Sequence, residues 1–181
     1  MKRILGISCS PRANGNTDDA VREALARVQQ CRGVAADFIR IADFDLKPCL
    51  GCRQCMKLMS CAIKSDQFQA LMDKMLGYDL YVLGSPVYWN SPCGMMKNFM
   101  DRTHGYYAWP QGVFRGKEAI LISVATESGF EPHERILQSW LEHYEAAVLD
   151  KVRIYACNAG DFRSRPAEVA KIHRMVEKLN P

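Results

Sequence analysis

Four cysteines fall within the thirteen residues CLGCRQCMKLMSC: Cys49, Cys52, Cys55 and Cys61, spaced C-x2-C-x2-C-x5-C. Two successive two-residue gaps let one loop wrap a single iron–sulfur cubane, with Cys61 supplying the fourth thiolate. A structural zinc site is less attractive, because zinc ribbons usually join two separated C-x2-C knuckles. Free thiols on a surface loop are the remaining reading, and the spacing alone leaves the choice open. Cys9, Cys31, Cys93 and Cys157 share no common spacing and read as small core residues.

A second chemistry is written into SCSPRANGNT, residues 8–17. Ser8, Ser10, Asn16 and Thr17 supply hydroxyl and amide groups, Arg12 a cation, and Gly15 a small residue that lets the backbone turn closely. A polar loop of this kind before a helix can hold an anion, because the first N–H groups of a helix are unpaired and carry partial positive charge. A capped helix after a polar turn would explain Asn16 and Thr17, but not Ser8, Ser10 and Arg12 together. The loop has neither the glycines of G-x-G-x-x-G nor the lysine of a Walker A sequence. It suits one phosphate monoester better than a pyrophosphate.

SPVYWNSP (85–92) sets Tyr88 and Trp89 between two prolines, and two adjacent aromatics cannot both point inward from an extended segment. VATESGF (124–130) offers a further polar loop, in which Glu127 reads equally well as a solvated charge. No Ser-His-Asp set and no paired carboxylates are evident. His104, His133, His143 and His173 lack ligand spacing and read as surface or helix residues.

Short apolar runs alternating with helical periodicity must position these loops. Residues 3–8, 36–41, 79–86, 118–126 and 152–157 read as strands. Helices are predicted from Asn16 or Thr17 as N-cap, after a Ser65 cap, after a Ser91–Pro92 start, from Pro132, and from Pro166. Five strands alternating with five helices call for a parallel sheet covered on both faces. Five such units fit an α/β, flavodoxin-like doubly wound five-stranded parallel sheet of order 2-1-3-4-5 with helices on both faces. Residues 1–181 read as a single domain with a cysteine-rich insertion at about 47–63. In such sheets ligands bind beyond the carboxyl ends of the strands where the order reverses, so the loops after strands one, three and four are the expected site.

The composition sets outer bounds. Hydrophobic residues are 48% and charged residues 24% of the chain, ordinary globular values. A net charge of +4, without a run of like charges, argues against nucleic acid while favouring an anionic ligand. The apolar run before Pro11 is too short for a secretory leader or a membrane span, so the expected location is cytoplasmic, with reduced thiols.

SxSPRxxGNT, together with GSPVYWNSPCGMMKNFMDRT (84–103) and FRGKEAILISVATESG, resembles the NADPH-dependent FMN reductase family of the flavodoxin-like superfamily over most of the chain. The resemblance implies that Ser8, Ser10, Pro11, Arg12, Asn16 and Thr17 surround the FMN phosphate. It implies that Pro86, Val87, Tyr88, Trp89 and Asn90 border the isoalloxazine ring, and that Thr126, Glu127 and Gly129 form the third wall. Relatives often carry Gly-Gly where this chain has Gly129–Phe130, so the ring contacts of that loop depart from the pattern. No catalytic side chain is required, since flavin carries the hydride chemistry. The implied activity moves electrons from NAD(P)H or a protein donor to a quinone, flavin or other acceptor. A flavodoxin-like carrier or a flavin-binding regulatory domain is the alternative. Iron–sulfur flavoproteins carry the compact cysteine motif with a [4Fe–4S] cluster beside FMN, and other flavin reductases of the family carry it as well. The aromatic stretch 104–114 suggests burial against a second chain, and related flavoproteins imply a homodimer or homotetramer.

Overall fold

Strand β1 (Lys2–Ser8) lies in a parallel sheet, between the edge strand β2 (Val34–Arg40) and the central strand β3 (Leu80–Tyr88), in the computed structural model, which describes residues 1–179. Beyond β3 come β5 (Glu118–Ala125) and β6 (Ala147–Tyr155), both parallel. The path is β2-β1-β3-β5-β6, the expected order with one addition. That addition is β4 (Ser91–Pro92), a two-residue strand pairing antiparallel with the end of β3.

The strands are apolar on both faces because helices cover both. Ile4, Leu80, Val82, Ile120, Ile122 and Ile154 point toward α1 (Asn16–Val28) and α7 (Pro166–Leu179). Their neighbours Leu5, Ile7, Tyr81, Leu83 and Leu121 point the other way. There they meet α3 (Phe68–Leu76), α4 (Gly94–Arg102) and α5 (Phe130–His143). This two-residue alternation within continuous apolar runs is what a doubly covered parallel sheet demands. Two one-turn helices, α2 (Cys55–Leu58) and α6 (Asp161–Ser164), complete the set. Among the described residues no helix is long and apolar enough to cross a membrane.

Several expected boundaries move. Gly15, not Asn16 or Thr17, is the N-cap of α1, because both of those residues already lie in the helix. Ser91 and Pro92 are spent on β4, so α4 starts at Gly94 behind Cys93. Helix α3 starts at Phe68 with Gln67, not Ser65, as its N-cap, and Asp66 accepts the Phe68 N–H at 3.2 Å. Helix α5 starts at Phe130, two residues before Pro132. The last strand begins at Ala147, five residues early, because its exposed edge has no continuous apolar run to announce it.

Candidate functional site

The carboxyl ends of β1, β3, β5 and β6 open onto a cleft of about 240 Å³ at the switch point of the sheet. One wall is the loop from Ser10 to Thr17 at the start of α1, a second is Pro86 to Tyr88, and a third is Val124 to Thr126. Ala156 and Cys157 close the far side. Of the expected ligand-binding residues, Ser10, Arg12, Asn16, Thr17, Pro86, Val87, Tyr88 and Thr126 therefore meet in one place.

The loop wall is built around a carboxylate. Asp18 is fully buried in the first turn of α1 and accepts hydrogen bonds from the Ser8 hydroxyl and from the Asn14 N–H, the latter at 2.8 Å. Arg40 Nε stands 3.0 Å from Asp18 without hydrogen-bond alignment, while Arg40 Nη2 donates to the Ser10 carbonyl at 3.2 Å. Ser8 is thus turned beneath the loop rather than into the cleft. It frames the turn and is not among the residues lining the cleft. Pro11 is exposed and outside the lining. Asn16 is buried, with its Nδ2 donating to the Asn158 carbonyl at 2.8 Å and its Oδ1 accepting the Phe162 N–H at 3.1 Å. Arg12 is exposed and reaches over the cleft to the Cys157 carbonyl at 3.4 Å, a contact long enough to yield to an anion.

The second wall ends in a hairpin. Val87 pairs with Pro92 and Tyr88 with Ser91, leaving Trp89 and Asn90 as a two-residue turn with φ of 52° and 61°. Left-handed backbone at both positions is the type I′ geometry that matches strand twist. Asn tolerates it; Trp does not do so readily. Trp89 is 99% exposed and Tyr88 49%, so neither is core. The tip leans on the third wall: a Cβ at Gly129 would lie 2.6 Å from Asn90 Oδ1 and 2.9 Å from Val87 Cγ1. With φ of 85° as well, position 129 admits glycine and little else. Glu127 is exposed and outside the lining, in keeping with a solvated charge.

Behind the third wall lies a residue whose environment the sequence did not reveal. His133 lies in α5, one of the two places expected of it, and is fully buried there. Its Nδ1 shares a 3.1 Å hydrogen bond with Ser123, and its Nε2 has no partner among the described residues. Burial lowers its pKa to about 4, so the imidazole is neutral.

The cysteine segment sits beyond β2, beside the C-terminal end of α4. Cys49, Cys52, Cys55 and Cys61 line one apolar pocket of about 60 Å³. Cys49 and Cys52 are exposed, and Cys55 and Cys61 are half-buried. No three such ligands stand together in metal-binding geometry among the described residues. Four thiols around one pocket suit an iron–sulfur cluster in kind, and a closed ligand shell would draw the exposed pair inward. Cys9 and Cys93 are core residues whose thiols burial pushes up, Cys9 well above the usual range. Cys157 is a correction: it is exposed and lines the cleft.

A switch-point cleft with a helix N-terminus on one side and an aromatic hairpin on the other fits the family expected from the motifs. The family model for NADPH-dependent FMN reductase matches residues 2–161. The chain belongs to that family. Among curated relatives of this FMN reductase-family chain is an iron–sulfur flavoprotein of Methanocaldococcus jannaschii, 41% identical over 101 residues, covering 56% of this chain and 51% of that one. An iron–sulfur flavoprotein of Archaeoglobus fulgidus is 33% identical over 121 residues, covering 67% and 60%. The chain thus spans about half to three-fifths of these relatives' length. Solved structures share the fold. An FMN-dependent NADH-azoreductase of Bacillus anthracis, in complex with FMN, superposes with a TM-score of 0.72 at 9% identity over 99% of this chain and 100% of that one. An NADH:FMN oxidoreductase in its apo form gives 0.68 at 18% identity over 98% and 90%.

Proposed function

We propose that this FMN reductase-family chain is an FMN-dependent oxidoreductase that takes electrons from NAD(P)H or a protein donor and passes them to a quinone, a flavin or another acceptor. The observation that carries this reading is the cleft itself. Its loop wall offers the first N–H groups of α1, the Ser10 hydroxyl and the Arg12 guanidinium to a phosphate monoester. The Asp18–Arg40 pair beneath keeps that loop in shape. Pro86 to Asn90 would flank the ring on one side, and Thr126 to Gly129 would hold the hairpin in place on the other. When bound, FMN supplies the hydride chemistry, and the protein contributes position and electrostatics.

Cys49, Cys52, Cys55 and Cys61 are proposed to ligate one [4Fe–4S] cluster, a reading supported by the shared pocket and by the names of the iron–sulfur flavoprotein relatives. Half-exposed Tyr107 and Trp109 are proposed to contact a second copy in a homodimer or homotetramer. Heat release of the bound ligand, identified by mass, tests the flavin: FMN is expected, and FAD, or no flavin after reconstitution, would overturn the reading. Steady-state NAD(P)H oxidation with a quinone or ferricyanide separates an enzyme from a passive carrier.

A further inference from the structure

Arg102, the last residue of α4, is fully buried, and all five of its N–H donors are engaged around the cysteine segment. Nη1 donates to the Lys47 carbonyl at 2.7 Å and to Asp66, and Nη2 donates to the Ile63 carbonyl at 3.3 Å and to the other Asp66 oxygen at 3.2 Å. Nε donates to the sulfur of Cys61 at 3.1 Å. The guanidinium rests on the Phe68 ring, 4.7 Å from its centroid. One side chain therefore gathers both ends of the 47–63 insertion and one of its four thiols.

The fit is close on the other side as well. A Cβ at Gly105 would stand 2.8 Å from the Cys61 backbone nitrogen and 3.2 Å from the Ser60 carbonyl carbon. Only a residue without a side chain lets the 103–106 turn approach Cys61 so closely. Trp109 Nε1 donates to the Met59 carbonyl at 2.7 Å, fixing the chain just before it. Among the described residues Cys49 and Cys52 have no such anchorage, and both are exposed.

We infer that Arg102 is the positioning residue of the cysteine site: it fixes Cys61 as the first ligand, around which Cys49, Cys52 and Cys55 close, and its Nε–H remains bonded to that sulfur in the loaded protein. The inference rests on the cluster reading proposed above. A cation that donates a hydrogen bond to a ligand sulfur is an outer-shell contact that strengthens retention of the metal and raises the reduction potential of the centre. Lysine cannot replace it, because an ammonium has no fork to span Asp66, two carbonyls and a sulfur at once.

The test uses the full chain with FMN bound, reconstituted anaerobically with iron and sulfide. Arg102→Lys and Arg102→Gln are expected to lose iron to a chelator about 10- to 100-fold more readily than the parent, the scale of outer-shell losses. Their cluster midpoint potentials are expected to be more negative. Metal-free samples give an independent arm: Cys61 is expected to be alkylated faster in both variants, with Cys52 unchanged. Unchanged iron retention and potential, or unchanged alkylation of Cys61, would overturn the assignment. If the parent takes up no iron, the cluster reading falls, and the positioning of Cys61 stands or falls on alkylation alone. If neither variant folds, amide exchange in the metal-free parent decides: residues 59–63 must be protected more than 49–53.

Discussion

Arg12 lines the cleft, whereas Gly129 stands behind it against Asn90 and Val87, so the two would act on different ends of the proposed ligand. Replacing Arg12 with Ala removes a charge-assisted contact worth about 1.5–3 kcal/mol, or roughly ten- to a hundredfold in FMN affinity. Riboflavin, which lacks the phosphate, is expected to bind Arg12→Ala and the parent alike, as flavin fluorescence titrations would show. Gly129→Ala pushes against Asn90 and Val87 and is expected to weaken FMN and riboflavin by the same factor. His133 makes a pH prediction. Its folded pKa of about 4 lies below the ordinary 6.5, so the unfolded chain takes up the proton first. Its contribution to stability is complete above about pH 6.5 and declines as pH falls toward 4, by about 3 kcal/mol for a shift of this size. Urea midpoints across that range should fall more steeply in the parent than in His133→Gln; parallel curves would contradict it. Arg12 was legible because an exposed cation in a polar loop announces itself. Asp18, Arg40 and Arg102 were not: each has partners between 10 and 55 residues away, which no local spacing encodes.

At the scale of elements, the helices over the core were readable from their apolar spacing, and α7 begins at the expected Pro166. The hairpin was not readable, because Ser91–Pro92 has the chemistry of a helix start. Pairing with Val87 and Tyr88 overrides that preference and delays α4 to Gly94. A left-handed non-glycine residue costs about 1–2 kcal/mol. Trp89→Gly is therefore expected to leave stability equal or raised by about 1 kcal/mol, while weakening flavin binding if the indole meets the ring. Thermal unfolding of the apo protein and titration with riboflavin read the two effects separately. The cysteine segment was legible in composition alone. Its four cysteines line one pocket, but the platform beneath them, Gly105, Trp109 and the Arg102 fork, comes from a segment more than forty residues downstream.

For the whole molecule, the two proposed centres divide the sheet between them, the cleft at the switch point and the cysteine pocket beyond β2. Anaerobic reconstitution is expected to give about four irons per chain, falling when Cys49, Cys52, Cys55 or Cys61 becomes Ala; stoichiometric zinc would contradict it. FMN content should not change in those variants, since the four cysteines lie outside the cleft lining. One element joins the centres. Helix α4 starts directly behind the hairpin and ends in Arg102, so its 9 residues span about 13 Å between them. A helix of that kind acts as a ruler with a phase. One added residue would turn Arg102 by about 100° and carry it about 1.5 Å onward, out of reach of Cys61, while the hairpin stayed where it was. Insertions and deletions in evolution should therefore spare 94–102 even where its outward-facing residues drift. Over generations the length of this helix is inherited more strictly than its spelling.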